Sequence, residues 1–317
     1  MPVSFEDIGR AAERIRHIAR RTPVLTSRLF DERAGVHAFF KCENLQRGGA
    51  FKIRGAANFA YSIPQDDARR GLVACSSGNH AQAVAIAAHA LGVPATIVMP
   101  EDAPRIKLQA TRDYGAKIVM FNRHRDDRDV IARGIASETG ATFVPPYDHE
   151  WIMAGQGTVA LEFLSEAAPD LDALMTPIGG GGLMAGCSIV VKALRPEARL
   201  FGVEPADAND TWLSLQASER VSIAPPTTTA DGLRAPTPGI LTFPVIQRNV
   251  ESILLVNEDE IREAVRFLLT RMKILVEPSG AVCAAAALFH KLPPGIQRVG
   301  IVLTGGNVDL DYLAGLA

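Results

Sequence analysis

From about residue 70 onward, short apolar runs alternate with stretches of helical character. Residues 72–75 (Leu-Val-Ala-Cys) read as a strand, and the alanine-rich stretch 79–91 reads as a helix stopped by Gly92. A strand at 95–99 ends at Pro100, a helix over 104–114 closes at Gly115, a strand spans 117–121, and a helix over 127–139 closes at Gly140. A second set follows: strand 174–178, helix 182–194, strand 200–204, helices 259–272 and 279–290, and strand 299–303. Such alternation with short connections predicts βαβ units and a mainly parallel sheet. Residues 223–244, rich in proline and threonine, read as a long irregular connection.

In open α/β sheets, ligands bind beyond the carboxyl ends of strands, where loops lead into helix N-termini. Three loops in such positions are chemically unusual. The first is Ser76-Ser77-Gly78-Asn79-His80. A helix N-terminus exposes unpaired N–H groups and partial positive charge, which suits a carboxylate. Helix capping alone would require one polar residue rather than four. The second is Gly179-Gly180-Gly181-Gly182. Four glycines let the backbone wrap an anion and aim N–H groups at it, at an entropic cost that a plain turn does not justify. No Gly-Lys-Ser/Thr follows, and the Rossmann spacing is missing, so a single phosphate fits best. The third is Thr304-Gly305-Gly306-Asn307, which on its own reads equally well as a turn.

Bulk properties narrow the class. The 317 residues suffice for about two domains of roughly 150 residues each. Hydrophobic residues make up 47% and charged residues 21%, as in an ordinary globular protein. A net charge of −2 gives no electrostatic reason to expect nucleic acid or an anionic membrane as partner. No apolar stretch reaches the ~18 residues of a membrane span, and no secretory signal is visible near Met1. Cys42, Cys75, Cys187 and Cys283 are widely spaced in apolar surroundings and read as reduced, so a cytoplasmic setting is expected.

One lysine stands out. In Gly48-Gly49-Ala50-Phe51-Lys52-Ile53-Arg54-Gly55-Ala56, Lys52 follows an aromatic ring and lies between glycine-rich turns and an apolar run. Desolvation lowers a lysine's pKa, and the neutral amine is the form that condenses with an aldehyde, such as that of pyridoxal phosphate. Most lysines are merely solvated, so the three loops carry the argument.

Together, Phe51-Lys52-Ile53-Arg54-Gly55-Ala56, Ser76 to His80, Gly179 to Gly182 and Gly305-Gly306-Asn307 resemble, in order, the pyridoxal-phosphate-dependent serine/threonine dehydratase and serine racemase family. The resemblance runs from about Arg21 to about Leu310. It implies an α/β fold of type II, tryptophan-synthase-β-like, with two open, mainly parallel twisted sheets flanked by helices. A large cofactor-binding domain is expected from 1–65 and 150–317, with a small mobile domain from 66–149. The resemblance implies that Lys52 holds pyridoxal phosphate as a Schiff base and then acts as general base, with Phe51 against the ring. It also implies that Asn79 bonds the ring's 3-oxygen, that Gly179, Gly180, Gly181 and Gly182 hold the phosphate, and that Thr304 faces the pyridine nitrogen. Ser76, Ser77, Asn79 and His80 would surround the substrate carboxylate, with the Ser77 hydroxyl also on the face opposite the lysine. The implied reaction is dehydration and deamination of L-threonine and/or L-serine to a 2-keto acid and ammonia. Serine racemisation with a dehydratase side activity stays open because of Ser77, and so does threo-3-hydroxyaspartate ammonia-lyase activity. A dimer or tetramer is expected.

Two further clusters take meaning from the resemblance. Glu204, Ala208 and Asp210 match a divalent-cation site, where two carboxylates and a carbonyl suit Mg²⁺, or Ca²⁺ or Mn²⁺. The plain alternative is an acidic helix start. Arg123, His124, Arg125 and Arg128 form a basic cluster interleaved with Asp126, Asp127 and Asp129, which reads first as a solvated helix start. The sharper reading gives Arg128 a substrate carboxylate, the second one of hydroxyaspartate included.

Overall fold

A computed structural model describes residues 3–122, 125–166 and 170–316. Arg123 and His124 of the basic cluster lie outside the described residues. Ten strands are present among those described: β1 (Val24–Leu25), β2 (His37–Cys42), β3 (Leu72–Cys75), β4 (Ala95–Pro100), β5 (Lys117–Phe121), β6 (Thr142–Phe143), β7 (Ala173–Pro177), β8 (Arg199–Pro205), β9 (Ser252–Val256) and β10 (Arg298–Leu303). They form two sheets, one of six strands in the order β1-β2-β10-β7-β8-β9 and one of four in the order β5-β4-β3-β6. Every pairing is parallel except that of β1 with β2. The fold is therefore α/β with two mainly parallel sheets. Strands β3 and β7 are buried at every position, as expected of parallel strands covered by helices on both faces.

The local grammar follows the sequence. The Asn79–Leu91 and Arg128–Thr139 helices end at Gly92 and Gly140, both with positive φ, where the missing Cβ removes the left-handed penalty. Three departures have physical causes. The expected helix over 259–272 is the Glu258–Phe267 helix followed by a wider turn over Leu268–Met272, closed by Lys273 in the left-handed region. The connection over 223–244 contains a short turn at Asp231–Leu233 and the first residues of a Thr242–Asn249 helix. A 17-residue helix, Glu150–Glu166, had no counterpart in the sequence reading. Its glycines look like breakers but serve close packing. A Cβ on Gly155 would lie 2.5 Å from the Arg54 carbonyl oxygen, and one on Gly157 would lie 2.9 Å from the Gly186 carbonyl oxygen. No helix among the described residues is long and apolar enough to cross a membrane.

Candidate active site

The Lys52–Ala60 helix starts at the lysine itself, and the segment before it is stitched to the end of β10. Phe51 N donates to the Thr304 carbonyl at 3.1 Å, Gly306 N donates to the Gly49 carbonyl at 2.9 Å, and Ala50 bridges Gly305. The lysine thereby shares one cavity with Thr304. The cavity opens between the two sheets and is lined by Phe51, Lys52, the Ser76–His80 loop, Arg128, Tyr147, all four glycines of the 179–182 loop, and Thr304.

Lys52 is half-buried and lines this cavity. Burial pulls its ammonium down to about 8, and its Nζ donates to the Pro146 carbonyl at 2.9 Å. Among the described residues no carboxylate holds its charge, so the environment favours the neutral amine. Its Nζ lies 5.2 Å from the centre of the Phe51 ring.

The tetraglycine loop joins β7 to the Gly182–Leu194 helix. A Cβ on Gly180 would overlap the Tyr147 ring, and one on Gly182 would crowd the Tyr147 backbone at 3.1–3.2 Å. Gly181 has φ +91° and abuts Thr242, whose hydroxyl donates to the Gly180 carbonyl at 2.7 Å. The loop is thus a bare-backbone cradle at a helix N-terminus, fitted to a compact anion.

The Ser76–His80 loop is not a side-chain cap, because Gly78 occupies the cap position of the Asn79–Leu91 helix. Ser76 Oγ accepts from Gly78 N at 3.1 Å, which shapes the loop. His80 is buried, and its ring Nε2 lies 3.0 Å from the Val144 carbonyl, which fixes that nitrogen as the N–H donor. Burial and the nearby Lys52 charge push His80 down to about 3, so the ring is neutral. Its ring is thus tied to the Val144 carbonyl at the cavity wall. Asn79 is held at both ends of its amide. Its Nδ2 donates to Glu277, and its Oδ1 accepts from Asn307 Nδ2 at 2.9 Å. Ser77 and Arg128 also line the cavity. No carboxylate is paired with Arg128 among the described residues.

Thr304 is buried at the far end, its Oγ1 3.4 Å from the Ser279 carbonyl. Ser279 lines the same wall and accepts from Gly232 N at 2.9 Å. Sequence reasoning passed over Ser279, Tyr147, Lys107, Asp231, Arg234 and Glu277, which also face the cavity. Only the Glu277-Pro278-Ser279-Gly280 turn carried a readable signal, a proline at the first position of a helix after a polar residue.

Away from the cavity, Glu204 and Asp210 are fully buried. Glu204 accepts from the backbone of Thr211 at 3.1 Å and of Trp212 at 2.9 Å. Burial, together with Asp210, pushes Glu204 up to about 8, and burial pushes Asp210 up to about 7. Both carboxylate oxygens of Asp210 lack a hydrogen-bond partner, and Ala208 is buried alongside. Two carboxylates placed like this are short of a positive partner. Among the described residues, no group of three or more His, Cys, Asp or Glu side chains gathers as a metal site.

The sequence matches the family described as pyridoxal-phosphate dependent enzyme over residues 15–305. It is 48% identical to an L-threo-3-hydroxyaspartate ammonia-lyase from a Pseudomonas species over 313 residues, 99% of this chain and 98% of that protein. It is 45% identical to the L-threonine ammonia-lyase of Geobacter sulfurreducens, covering 97% of this chain and 76% of that one. The solved structure of maize serine racemase superposes with a TM-score of 0.95 at 38% identity, covering 99% of this chain and 97% of that one. The likeness extends through both sheets and every loop that lines the cavity, and the chain belongs to the pyridoxal-phosphate dependent enzymes.

Proposed function

We propose that this enzyme removes the β-hydroxyl and the amino group from a hydroxy amino acid, L-threonine and/or L-serine, giving a 2-keto acid and ammonia. The observation that carries this reading is a desolvated lysine amine with no acid partner, opposite an anion cradle and a polar helix-start loop in one cavity. The residues present fit pyridoxal phosphate. Lys52 offers a reactive amine, Phe51 a flat apolar face, the 179–182 loop a seat for the phosphate, and Thr304 a neutral hydroxyl toward the ring nitrogen. Asn79, its amide fixed by Glu277 and Asn307, is positioned for the ring's 3-oxygen. When bound, the cofactor withdraws electrons from the substrate's Cα and so acidifies its proton.

The chain's own residues supply the rest. The Ser76 and Ser77 hydroxyls, Asn79 and the N–H groups at the start of the Asn79–Leu91 helix orient the substrate carboxylate. Lys52 Nζ, once released, takes the Cα proton as general base. Its environment suits this, because burial keeps the amine poised near neutral pH. Ser77 is proposed to stand on the opposite face, where it could return a proton with inverted geometry and give serine racemase activity. We further propose that 66–149 moves as a unit against 1–65 and 150–317, that the protein is a homo-oligomer, and that it works in the reducing cytoplasm, in keeping with four buried free cysteines.

The guanidinium of Arg128, which lines the cavity and has no carboxylate partner among the described residues, favours a second substrate reading, threo-3-hydroxyaspartate, which carries an additional carboxylate. The test is a panel of L-serine, D-serine, L-threonine and threo-3-hydroxyaspartate, assayed for keto acid and for the opposite enantiomer. Absence of keto acid from all of them would sink the proposed reaction. Arg128→Ala is expected to raise KM for hydroxyaspartate by about tenfold or more, the worth of one charge-assisted contact, and to affect serine less. Unaltered KM for every substrate would remove Arg128 from the site.

Glu204, Asp210 and the Ala208 carbonyl are proposed to hold Mg²⁺, or Ca²⁺ or Mn²⁺. The support is the pair of buried Asp210 oxygens without partners beside a second buried carboxylate. A cation there would neutralise buried charge and stabilise the fold by mass action. Millimolar Mg²⁺ should therefore raise the melting temperature of the wild type and leave that of Asp210→Asn unmoved. Equal responses of the two proteins would place the cation elsewhere.

A further inference from the structure

The cavity wall contains a buried charge cluster that joins the two sheets' units. Lys107, on the Arg105–Asp113 helix beside the four-stranded sheet, is 2% exposed. Its Nζ donates to Asp231 at 2.7 and 2.9 Å and lies 2.9 Å from Glu277 Oε2, an ion pair off the axis of a hydrogen bond. Both carboxylates belong to the other unit. Asp231 sits in the turn of the irregular connection, and Glu277 directly precedes the Pro278–Leu288 helix.

The cluster continues into the site. The second oxygen of Glu277 accepts from the Asn79 amide. The Lys107 stem lies against Gly78, and a Cβ on that glycine would overlap it. Lys107 therefore touches the Ser76–His80 loop twice, by packing under Gly78 and by charge through Glu277 to Asn79. Burial works against both charges. It pushes Glu277 up against the pull of Lys107, while Glu277 and Asp231 hold Lys107 charged. A single cation balances two carboxylates, so its removal would leave Glu277 buried and uncompensated. Glu277 would then take up a proton or turn toward water, and either change disturbs its hold on Asn79.

We infer that Lys107 is a positioning residue, which fixes the Asn79 amide through Glu277 and fastens the loop to the opposite unit through Asp231. The inference rests on the proposed role of the Ser76–His80 loop in holding substrate. The experiment compares Lys107→Met, Glu277→Gln, their combination, and the milder Asp231→Asn, all as cofactor-loaded enzyme. Measured are kcat, KM, the visible absorption band and dissociation constant of the cofactor, and the melting temperature.

Lys107→Met is expected to raise KM at least tenfold, with a smaller fall in kcat, and to move the cofactor band. Glu277→Gln alone keeps an acceptor for Asn79 and should change KM less than threefold. In the double variant the fully buried charges are gone and only the part-exposed Asp231 keeps its carboxylate, so KM should return to within about threefold of wild type, the non-additivity expected of groups in contact. Asp231→Asn should raise KM a few fold while leaving the cofactor band in place. The inference is overturned by an unmoved KM and band in Lys107→Met, or by strictly additive effects in the double variant. A fall in melting temperature without any change in KM would likewise reduce Lys107 to a packing residue and overturn it. If the band and the cofactor affinity respond as expected while no substrate in the panel yields keto acid, the positioning role stands and the proposed reaction fails.

Discussion

Replacing Lys52 with alanine is expected to lower kcat for keto-acid formation by about 10³–10⁴-fold or more, the range for loss of a positioned general base. The argument starts from an amine whose pKa is near 8. At pH 8 about half of it is neutral, whereas an ordinary lysine would be neutral in about one molecule in 300. Burial produces this, since among the described residues the Nζ finds the Pro146 carbonyl and no acid. The sign follows directly. Below about pH 8 the amine is protonated and inert toward aldehydes, and above it the amine reacts. In cofactor-free protein, borohydride trapping of an added aldehyde at Lys52 should therefore climb as pH passes about 8 and level off above it. In Lys52→Ala, label should vanish from this segment, and an external primary amine should restore part of the lost rate. Keto-acid production within tenfold of wild type in Lys52→Ala would remove the lysine from the chemistry.

Replacing Arg54 with methionine should lower the stability of the fold by about 3–5 kcal/mol, the usual result of deleting one partner from a buried ion cluster. Arg54, two residues after Lys52, points away from the cavity and is 1% exposed. Its Nε and Nη2 grip Glu43 in a fork at 2.8 Å each, while its other contacts reach Glu162 at 2.8 and 3.1 Å and Thr158 at 3.2 Å. Lys41 completes the cluster, with its Nζ 2.8 Å from Glu162. Two cations and two anions balance in the interior, so loss of one guanidinium strands a carboxylate that is itself fully buried. Lysine at position 54 keeps the charge but not the planar fork and should recover only part of the loss. Denaturant melts of Arg54→Met and Arg54→Lys would measure both. A Met variant within 1 kcal/mol of wild type would show that the cluster relaxes freely.

The three loops were legible because each puts glycine, serine or asparagine where a strand turns into a helix or comes to its end, and few local structures require that composition. Lys52 was legible through its neighbours. Lys107 was not, because a lysine in a polar helix reads as solvated, and Asp231 and Glu277 lie more than a hundred residues further along the chain. Tyr147 was not legible either, because nothing local says that its ring covers Gly180. The Glu150–Glu166 helix escaped because it is apolar on most sides and dotted with glycines, so it lacks the polar face by which a helix announces its period. His80 shows the reverse limit. Its place in the loop was legible, but its ring is engaged by the Val144 carbonyl, a partner that only the fold brings near.

The strand order has a consequence for how the protein is made. The four-stranded sheet draws only on β3 to β6, a continuous stretch of chain, and its strand pairings are available once residue 143 has emerged during synthesis. The six-stranded sheet seats β10, the last of the described strands, between β2 and β7. Until then β2 has a partner only on its β1 side, and the segment carrying Lys52 lacks the Thr304–Gly306 backbone to which it is stitched. The four-stranded sheet can thus pair its strands early in synthesis, while Lys52 acquires these surroundings only after residue 306 has been translated.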